Sequence, residues 1–246
     1  MPTIKVIGMG PGNMEEMTPR ARAAIEAADL VVGYNTYIDL IQDHFPGKTF
    51  IRSGMTREVE RCRLVLEKAE EGHQVALISS GDSGIYGMAG IMLEVAGQAG
   101  SQVPVEIIPG ITAAGAAASV LGAPLMHDFA VISLSDLLTP LDLIYHRVEQ
   151  AAKGDFILCL YNPKSKKRTQ AIRRVQEIVL AHQRGDTPVG VVRNVSRENE
   201  SCRITDLTHM LEVDMDMFSL VIIGNAATYV KDGKMITPRG YTLEER

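Results

Sequence analysis

Ile4-Lys5-Val6-Ile7-Gly8-Met9-Gly10-Pro11-Gly12-Asn13, with Thr18-Pro19 a few residues on, is the stretch whose reading settles the fold class. An apolar run enters a glycine-rich turn, and Thr18 as N-cap with Pro19 at the first helical position then starts a helix. Strand, glycine turn and crossover helix are the unit from which parallel sheets are built. The alternation continues outward from there. Strands are expected at 30–32, 74–79 and 103–108, and helices at 56–71 and through Ala96. The helix at 56–71 carries Val59, Cys62, Leu66 and Ala69 on one face and stops at Gly72. A helix at 112–121 is almost all Ala and Val, so it must lie tightly against a sheet or another helix. Gly122-Ala123-Pro124 then breaks the pattern. Beyond it, strands at 129–134, 156–160, 188–192 and 218–223 alternate with helices at 141–152 and 169–182. The expectation is an α/β protein of two domains, 1–123 and 124–246, with mainly parallel sheets and a cleft between them. The polar segment 231–246, with Gly233, Pro238 and Gly240, reads as a short hairpin or tail.

Composition narrows the function. With 46% hydrophobic residues in 246 the chain can bury a large core, and a net charge of -5 argues against nucleic acid as partner. Cys62, Cys159 and Cys202 never form a close pair, so neither a disulfide framework nor a Cys-x-x-Cys motif is available, and a reducing cytoplasmic setting is expected. No apolar run reaches the roughly 20 residues needed to span a bilayer, and the N-terminus lacks a signal-peptide core. The six His are scattered and none pairs with another His or a Cys at helical spacing, so no dedicated metal site is expected.

Three glycine-rich turns follow strands. The first, Gly8-Met9-Gly10-Pro11-Gly12-Asn13, departs from the dinucleotide fingerprint because Asn13 stands at its third glycine, and no acidic residue ends the next strand, where Val32 is followed by Gly33-Tyr34-Asn35. The second, Ser79-Ser80-Gly81-Asp82-Ser83-Gly84-Ile85-Tyr86-Gly87, exposes main-chain groups and sets one carboxylate, Asp82, to accept from ammonium or hydroxyl donors. It lacks the Lys-Ser/Thr ending of a P-loop. The third is Pro109-Gly110-Ile111-Thr112-Ala113-Ala114, whose small side chains admit a flat ligand, although Thr112 also suits a plain helix N-cap. An ordinary strand-to-helix loop has the same look in each case. Ligands of open α/β sheets gather at this end of the strands.

Together the three turns resemble those of the tetrapyrrole methylase family, S-adenosylmethionine-dependent enzymes that methylate ring carbons of corrin and sirohaem precursors. The resemblance runs over essentially the whole chain. Its second half looks like the precorrin-3B or cobalt-factor III C17-methyltransferase branch of cobalamin biosynthesis, through His127-Asp128-Phe129, Ile132-Ser133-Leu134-Ser135-Asp136-Leu137-Leu138-Thr139-Pro140, Leu160-Tyr161-Asn162-Pro163 and Val192-Arg193-Asn194-Val195. The resemblance implies that Pro11, Ser80, Gly81, Asp82, Ile85, Thr112 and Ala113 hold S-adenosylmethionine, with Asn162 and Val195 from the second domain. It also implies a homodimer. Sirohaem-branch enzymes carry an acidic residue, proposed as an acid/base group, where this chain has Asn35, so that role is not carried over.

Methyl transfer from a sulfonium to carbon is an in-line displacement that needs alignment and exclusion of water more than a protein nucleophile. The ring contraction associated with the C17 branch does need proton transfers. His127, Ser135 and Asp136 are the candidates for these, beside Asp128 and Ser133. Gly10, Asp128 and Arg168 are the candidates for substrate contact. The basic run Lys164, Lys166, Lys167 and Arg168, with Arg173 and Arg174, suits a macrocycle bearing acetate and propionate groups, Arg168 above all because a guanidinium pairs bidentately with carboxylates. The competing reading is a nucleotide-binding α/β protein that uses the same turns for a phosphate or adenine.

Overall fold

The computed structural model describes residues 2–165 and 168–242. The chain divides into Met1–Ala113 and Ala114–Arg246. In the first unit the order is β1 (Ile4–Gly8), α1 (Pro19–Ala27), β2 (Leu30–Tyr34), α2 (Asn35–Ile41), β3 (Thr49–Ser53), α3 (Glu58–Glu70), β4 (Val75–Ser79), α4 (Ala89–Ala99) and β5 (Val105–Ile108). The strands form one sheet in the order β3-β2-β4-β1-β5, and every pairing is parallel. Strand alternation sorts the core onto two faces. Val6, Val32 and Leu77 pack with Cys62, Val65 and Met92 of α3 and α4, whereas Ile7, Val31 and Ile78 pack with Ala21, Ile25 and Ile38 of α1 and α2. β4, at the centre, is buried along its whole length, as its unbroken apolar run requires.

Local chemistry sets the ends of these elements. The Thr18 side chain accepts from the Ala21 N–H at 3.1 Å and Pro19 opens α1, as expected. The helix expected from 56 starts at Glu58, because Thr56 has φ 62° and cannot be helical. Two elements were not expected: α2, which has no side-chain cap, and β3, a half-exposed edge strand.

The second unit contains α5 (Ala113–Leu121) from Ala114 onward, then β6 (Gly122–Ala123), β7 (Phe129–Ser133), α6 (Leu141–Lys153), β8 (Ile157–Tyr161), α7 (Ala171–Leu180), β9 (Pro188–Arg193), β10 (Ser201–Asp206), β11 (Ser219–Ile223), β12 (Tyr229–Lys231) and β13 (Lys234–Ile236). The expected boundary at 123/124 lies beyond α5, whereas almost all of α5 falls in this unit. The reason is close packing: a Cβ added at Gly190 of β9 would lie 2.4 Å from the Leu121 side chain, so helix and sheet approach as the small residues of α5 demand.

Its main sheet runs β10-β9-β11-β8-β7. β7 and β8 pair in parallel, while β8 with β11, β11 with β9 and β9 with β10 are antiparallel. Parallel pairing therefore predominates over the chain but is concentrated in the first unit. α6 and α7 cover one face through Ile144, Val148, Ile172, Val175 and Val179 against Leu158, Val189, Val191 and Val221. The expected C-terminal hairpin is β12–β13, turned by Asp232 and Gly233, both at positive φ, and β13 pairs with β6. It starts at Tyr229, before the expected segment; Lys166 and Lys167, from the expected basic run, lie outside the described residues.

Candidate functional site

The three glycine turns of the first unit meet at the carboxyl end of its sheet. Met9 N–H donates to Ser79 C=O at 2.9 Å, and Gly10 and Gly81 exchange both main-chain hydrogen bonds, at 3.1 and 2.7 Å. Both glycines have positive φ, 83° and 68°. A Cβ added at Gly8 would lie 2.6 Å from Gly110 N, and one at Gly110 would lie 2.3 Å from Gly81 O and 2.5 Å from Gly8 O. Only hydrogen fits where these three backbones cross. Gly81 is also packed beside Thr112 and Ala113, with Ala113 N 3.6 Å from where its Cβ would be.

Asp82 and Ser83 tie the turns together. Asp82 Oδ2 accepts from Gly110 N–H at 3.0 Å while Oδ1 accepts from Gly84 N–H at 2.8 Å, and the buried Ser83 hydroxyl donates to Ile108 C=O at 3.1 Å. Each carboxylate oxygen of Asp82 thus accepts one of the protein's own amides and keeps a further lone pair. Ser83, not singled out from the sequence, does comparable work, and no pattern marks it among so many small residues. Pro11 is buried, Ser80 and Thr112 are half-buried, and Ile85, Tyr86 and Ile111 leave apolar surface exposed. All seven first-unit residues expected at the cofactor, together with Gly10, therefore gather in one place. The surface there is main chain, small side chains and aliphatic groups.

In the second unit a second group forms at the carboxyl ends of β7 and β8. Leu134 N–H donates to Tyr161 C=O at 2.9 Å, and Asn162, with φ 53°, gives its side-chain amide to Ser133 Oγ at 2.9 Å. The same hydroxyl accepts from Ser135 N–H at 3.3 Å. The Tyr161 hydroxyl, a role its motif does not reveal, accepts from Ala114 N–H in the first turn of α5. Asn194 after β9 is also left-handed, φ 52°, and it leads to Val195, which is buried. β9 ends beside the start of β11, where Arg193 pairs with Asp216 at 2.7 Å.

Arg168 is not positioned as a free carboxylate receptor. Its Nη1 donates to Asp136 Oδ1 at 3.0 Å and its Nη2 to Asn162 C=O at 3.2 Å, while Nε is buried without a partner. It clamps the loop after β7 to the end of β8. Lys164 and Arg173 border a separate cavity of about 230 Å³, and Arg174 pairs with Glu177. The proposed acid/base trio is divided. Ser135 and Asp136 follow β7, whereas His127 and Asp128 precede it, both exposed, and a five-residue strand spans roughly 17 Å. His127 Nδ1 accepts from Asp128 N–H, a local turn contact, and Asp128 C=O accepts from Ile157 N–H. A His-Asp dipeptide reads alike at either end of a strand.

No group of three metal-ligating side chains occurs among the described residues. The cysteines are poor nucleophiles: burial pushes the Cys62 thiol up to about 11 and that of Cys159 up to about 12. Iodoacetamide is accordingly expected to label Cys202 alone in the native protein, with Cys62 and Cys159 following only in denaturant, as read by intact and peptide mass spectrometry. Labelling of Cys62 under native conditions would contradict its burial.

Comparison with known proteins follows the same lines. Residues 3–211 match the family profile described as Tetrapyrrole (Corrin/Porphyrin) Methylases. The chain is 52% identical over 240 residues to the probable cobalt-factor III C(17)-methyltransferase of Salmonella typhimurium, covering 98% of this chain and 100% of that one. It is 48% identical over 240 residues to the cobalt-factor III methyltransferase of Priestia megaterium, covering 96% of this chain and 44% of that protein. Its fold is similar to the crystal structure of the methyltransferase CobJ, with a TM-score of 0.91 at 35% identity over 97% of this chain and 100% of that one. The uroporphyrin-III C-methyl transferase of Thermus thermophilus, complexed with S-adenyl homocysteine, shares the fold at a TM-score of 0.70 and 23% identity, covering 90% and 97%.

Proposed function

The chain belongs to the tetrapyrrole (corrin/porphyrin) methylases, and from that membership we propose that it is the S-adenosylmethionine-dependent enzyme that methylates C17 of a corrin precursor, with ring contraction, in cobalamin biosynthesis. The observation that carries the reading is the correspondence, over 98% of this chain and 100% of that one, with a probable cobalt-factor III C(17)-methyltransferase at 52% identity. The names of the relatives favour cobalt-factor III over precorrin-3B as substrate. A homodimer acting in the cytoplasm completes the reading; no helix among the described residues is long and apolar enough to cross a membrane.

The residues suit the cofactor. The crossing of Gly8, Gly81 and Gly110 packs the three turns backbone against backbone, and the main chain and small side chains beside it present a surface that a cofactor can approach closely. Pro11, Ser80, Gly81, Ile85, Thr112 and Ala113 would hold it there, with Asp82 fixing the loops. Asn162 and Val195 are the second unit's candidates for the same role. When bound, S-adenosylmethionine supplies the sulfonium methyl. The chain's own part is alignment and exclusion of water, which in oriented reactions corresponds to about 7–11 kcal/mol. For the proton transfers of ring contraction, Ser135 and Asp136 are proposed, Asp136 being held by Arg168; His127 stands apart from them.

Incubation with S-adenosylmethionine and either cobalt-factor III or metal-free precorrin-3B, followed by mass spectrometry, tests the reading. The expected product is the singly methylated, ring-contracted corrinoid from the cobalt substrate. Turnover of neither, with tight binding of NAD and none of S-adenosylhomocysteine, would favour the nucleotide-binding alternative.

A further inference from the structure

Arg61, in the first turn of α3, is 4% exposed and is the only charged side chain so deeply buried among the described residues. Its Nε donates to Ser53 Oγ, its Nη2 to Gly54 C=O at 2.9 Å, and its Nη1 points to Met88 Sδ at 3.4 Å. A guanidinium has five N–H donors. These three contacts, all with uncharged acceptors, are its hydrogen bonds among the described residues, and it forms no ion pair with a carboxylate there. Arg168 and Arg193 differ, each being paired with an aspartate, Asp136 and Asp216.

A desolvated cation without a counter-charge is costly to keep, and an uncharged side chain of similar length would fill the space without that cost. Tying Ser53 and Gly54 requires donors, not charge. The location suggests what the charge serves. Ser53 ends β3, and Met88, whose N–H donates to Ser79 Oγ at 3.0 Å, closes the loop 81–87 after β4. The guanidinium therefore stands at the same end of the sheet as the glycine turns. The α3 amide dipoles add to its positive potential, and Met55 and Tyr86 expose apolar surface at that end, at 49% and 57%.

We propose that the carboxyl end of β3 is a carboxylate subsite, in which Arg61 provides through space the counter-charge for an acidic group of the bound ligand. Arg61 is then a positioning residue, acting by its field through the low-dielectric groups that bury it. The proposal rests on the reading of the chain as a corrinoid methyltransferase. Two sources meet the chemistry, the acid side chains of the macrocycle and the carboxylate of the cofactor's amino-acid end.

The test compares wild type with Arg61→Gln, which keeps donors but no charge, and Arg61→Lys, which keeps the charge. Binding is titrated with cobyrinic acid, with cobinamide, a ring whose acid side chains are amidated, and with S-adenosylhomocysteine. Arg61→Gln is expected to weaken cobyrinic acid about tenfold or more, to leave cobinamide unchanged, and to be largely rescued by Arg61→Lys; the wild-type affinity for cobyrinic acid should fall with salt. A loss confined to S-adenosylhomocysteine would support the subsite and assign it to the cofactor. Equal changes for all three probes, or none, would overturn it. Should Arg61→Gln not fold, the comparison is made with Arg61→Met, judged by the same selectivity. A wild-type chain that binds neither corrinoid nor S-adenosylhomocysteine overturns the methyltransferase reading and this proposal with it, whereas wild-type binding with an unselective variant overturns the subsite alone.

Discussion

Gly110→Ala is expected to abolish methyl transfer and to weaken S-adenosylhomocysteine binding by about 100-fold or more, since a displacement of roughly 1 Å in a positioning element costs that much. The added methyl would sit 2.3 Å from Gly81 O and 2.5 Å from Gly8 O, both main-chain atoms at the ends of paired strands. No side-chain rotation relieves such a clash. Either the Gly110 N–H leaves Asp82 or the turn after β1 parts from the turn after β4. Overpacking of this kind costs about 1–3 kcal/mol or more, within the roughly 5–15 kcal/mol by which domains are stable, so the protein should still fold with a lowered melting temperature. Gly90→Ala and Gly97→Ala are the controls. These α4 glycines have open space around the missing Cβ, and the change should be neutral or stabilise by up to about 1 kcal/mol. Wild-type affinity in Gly110→Ala would show that the crossing of the three turns does not shape the site.

The legible parts of the fold were those in which local chemistry and burial agree. Thr18-Pro19 marks a helix start whatever surrounds it, and the apolar run of β4 can only be a central strand. β3 and β10 escaped notice because edge strands carry polar residues on exposed positions, Thr49 and Arg52 in one and Ser201 and Arg203 in the other, which blurs the two-residue period. Strand direction was illegible for a different reason. β9 and β11 are buried on both faces, so they show the continuous apolar run usually associated with parallel strands although they pair antiparallel.

The site divides along the same line. The close meeting of the turns was legible, because only glycine lets backbones cross as Gly8, Gly81 and Gly110 do. Side-chain roles were not, because a charged residue's partner is set by tertiary placement. Arg168 resembles a ligand contact until Asp136 is seen beside it, and Arg61 resembles an ordinary helix-surface residue until its burial is seen. The overall charge of -5 is compatible with an acidic ligand if one cation is left uncompensated where it matters.

Asp82→Asn is the second large effect expected, because the substitution is isosteric and yet cannot keep both contacts. Each carboxylate oxygen accepts from a different main-chain amide, Gly84 N–H at 2.8 Å and Gly110 N–H at 3.0 Å. An asparagine offers one carbonyl oxygen and one amino group, so whichever way the amide turns, one of the two N–H groups faces another donor. A hydrogen bond to a charged acceptor contributes about 1.5–3 kcal/mol, and stranding its donor adds to the loss. The Gly84 bond is local, but the Gly110 bond joins the turn after β4 to the turn after β5. Losing it should let the two turns part. The expected result is a lower melting temperature and a loss of S-adenosylhomocysteine affinity of about 10–100-fold, both in the same variant, with Asp82→Ala behaving alike. The pairing of the two readouts decides between two roles. If Asp82 instead received a ligand hydroxyl directly, the asparagine oxygen would still accept it, and affinity would change little at an unaltered melting temperature. If it binds the turns to one another, stability and affinity must fall together.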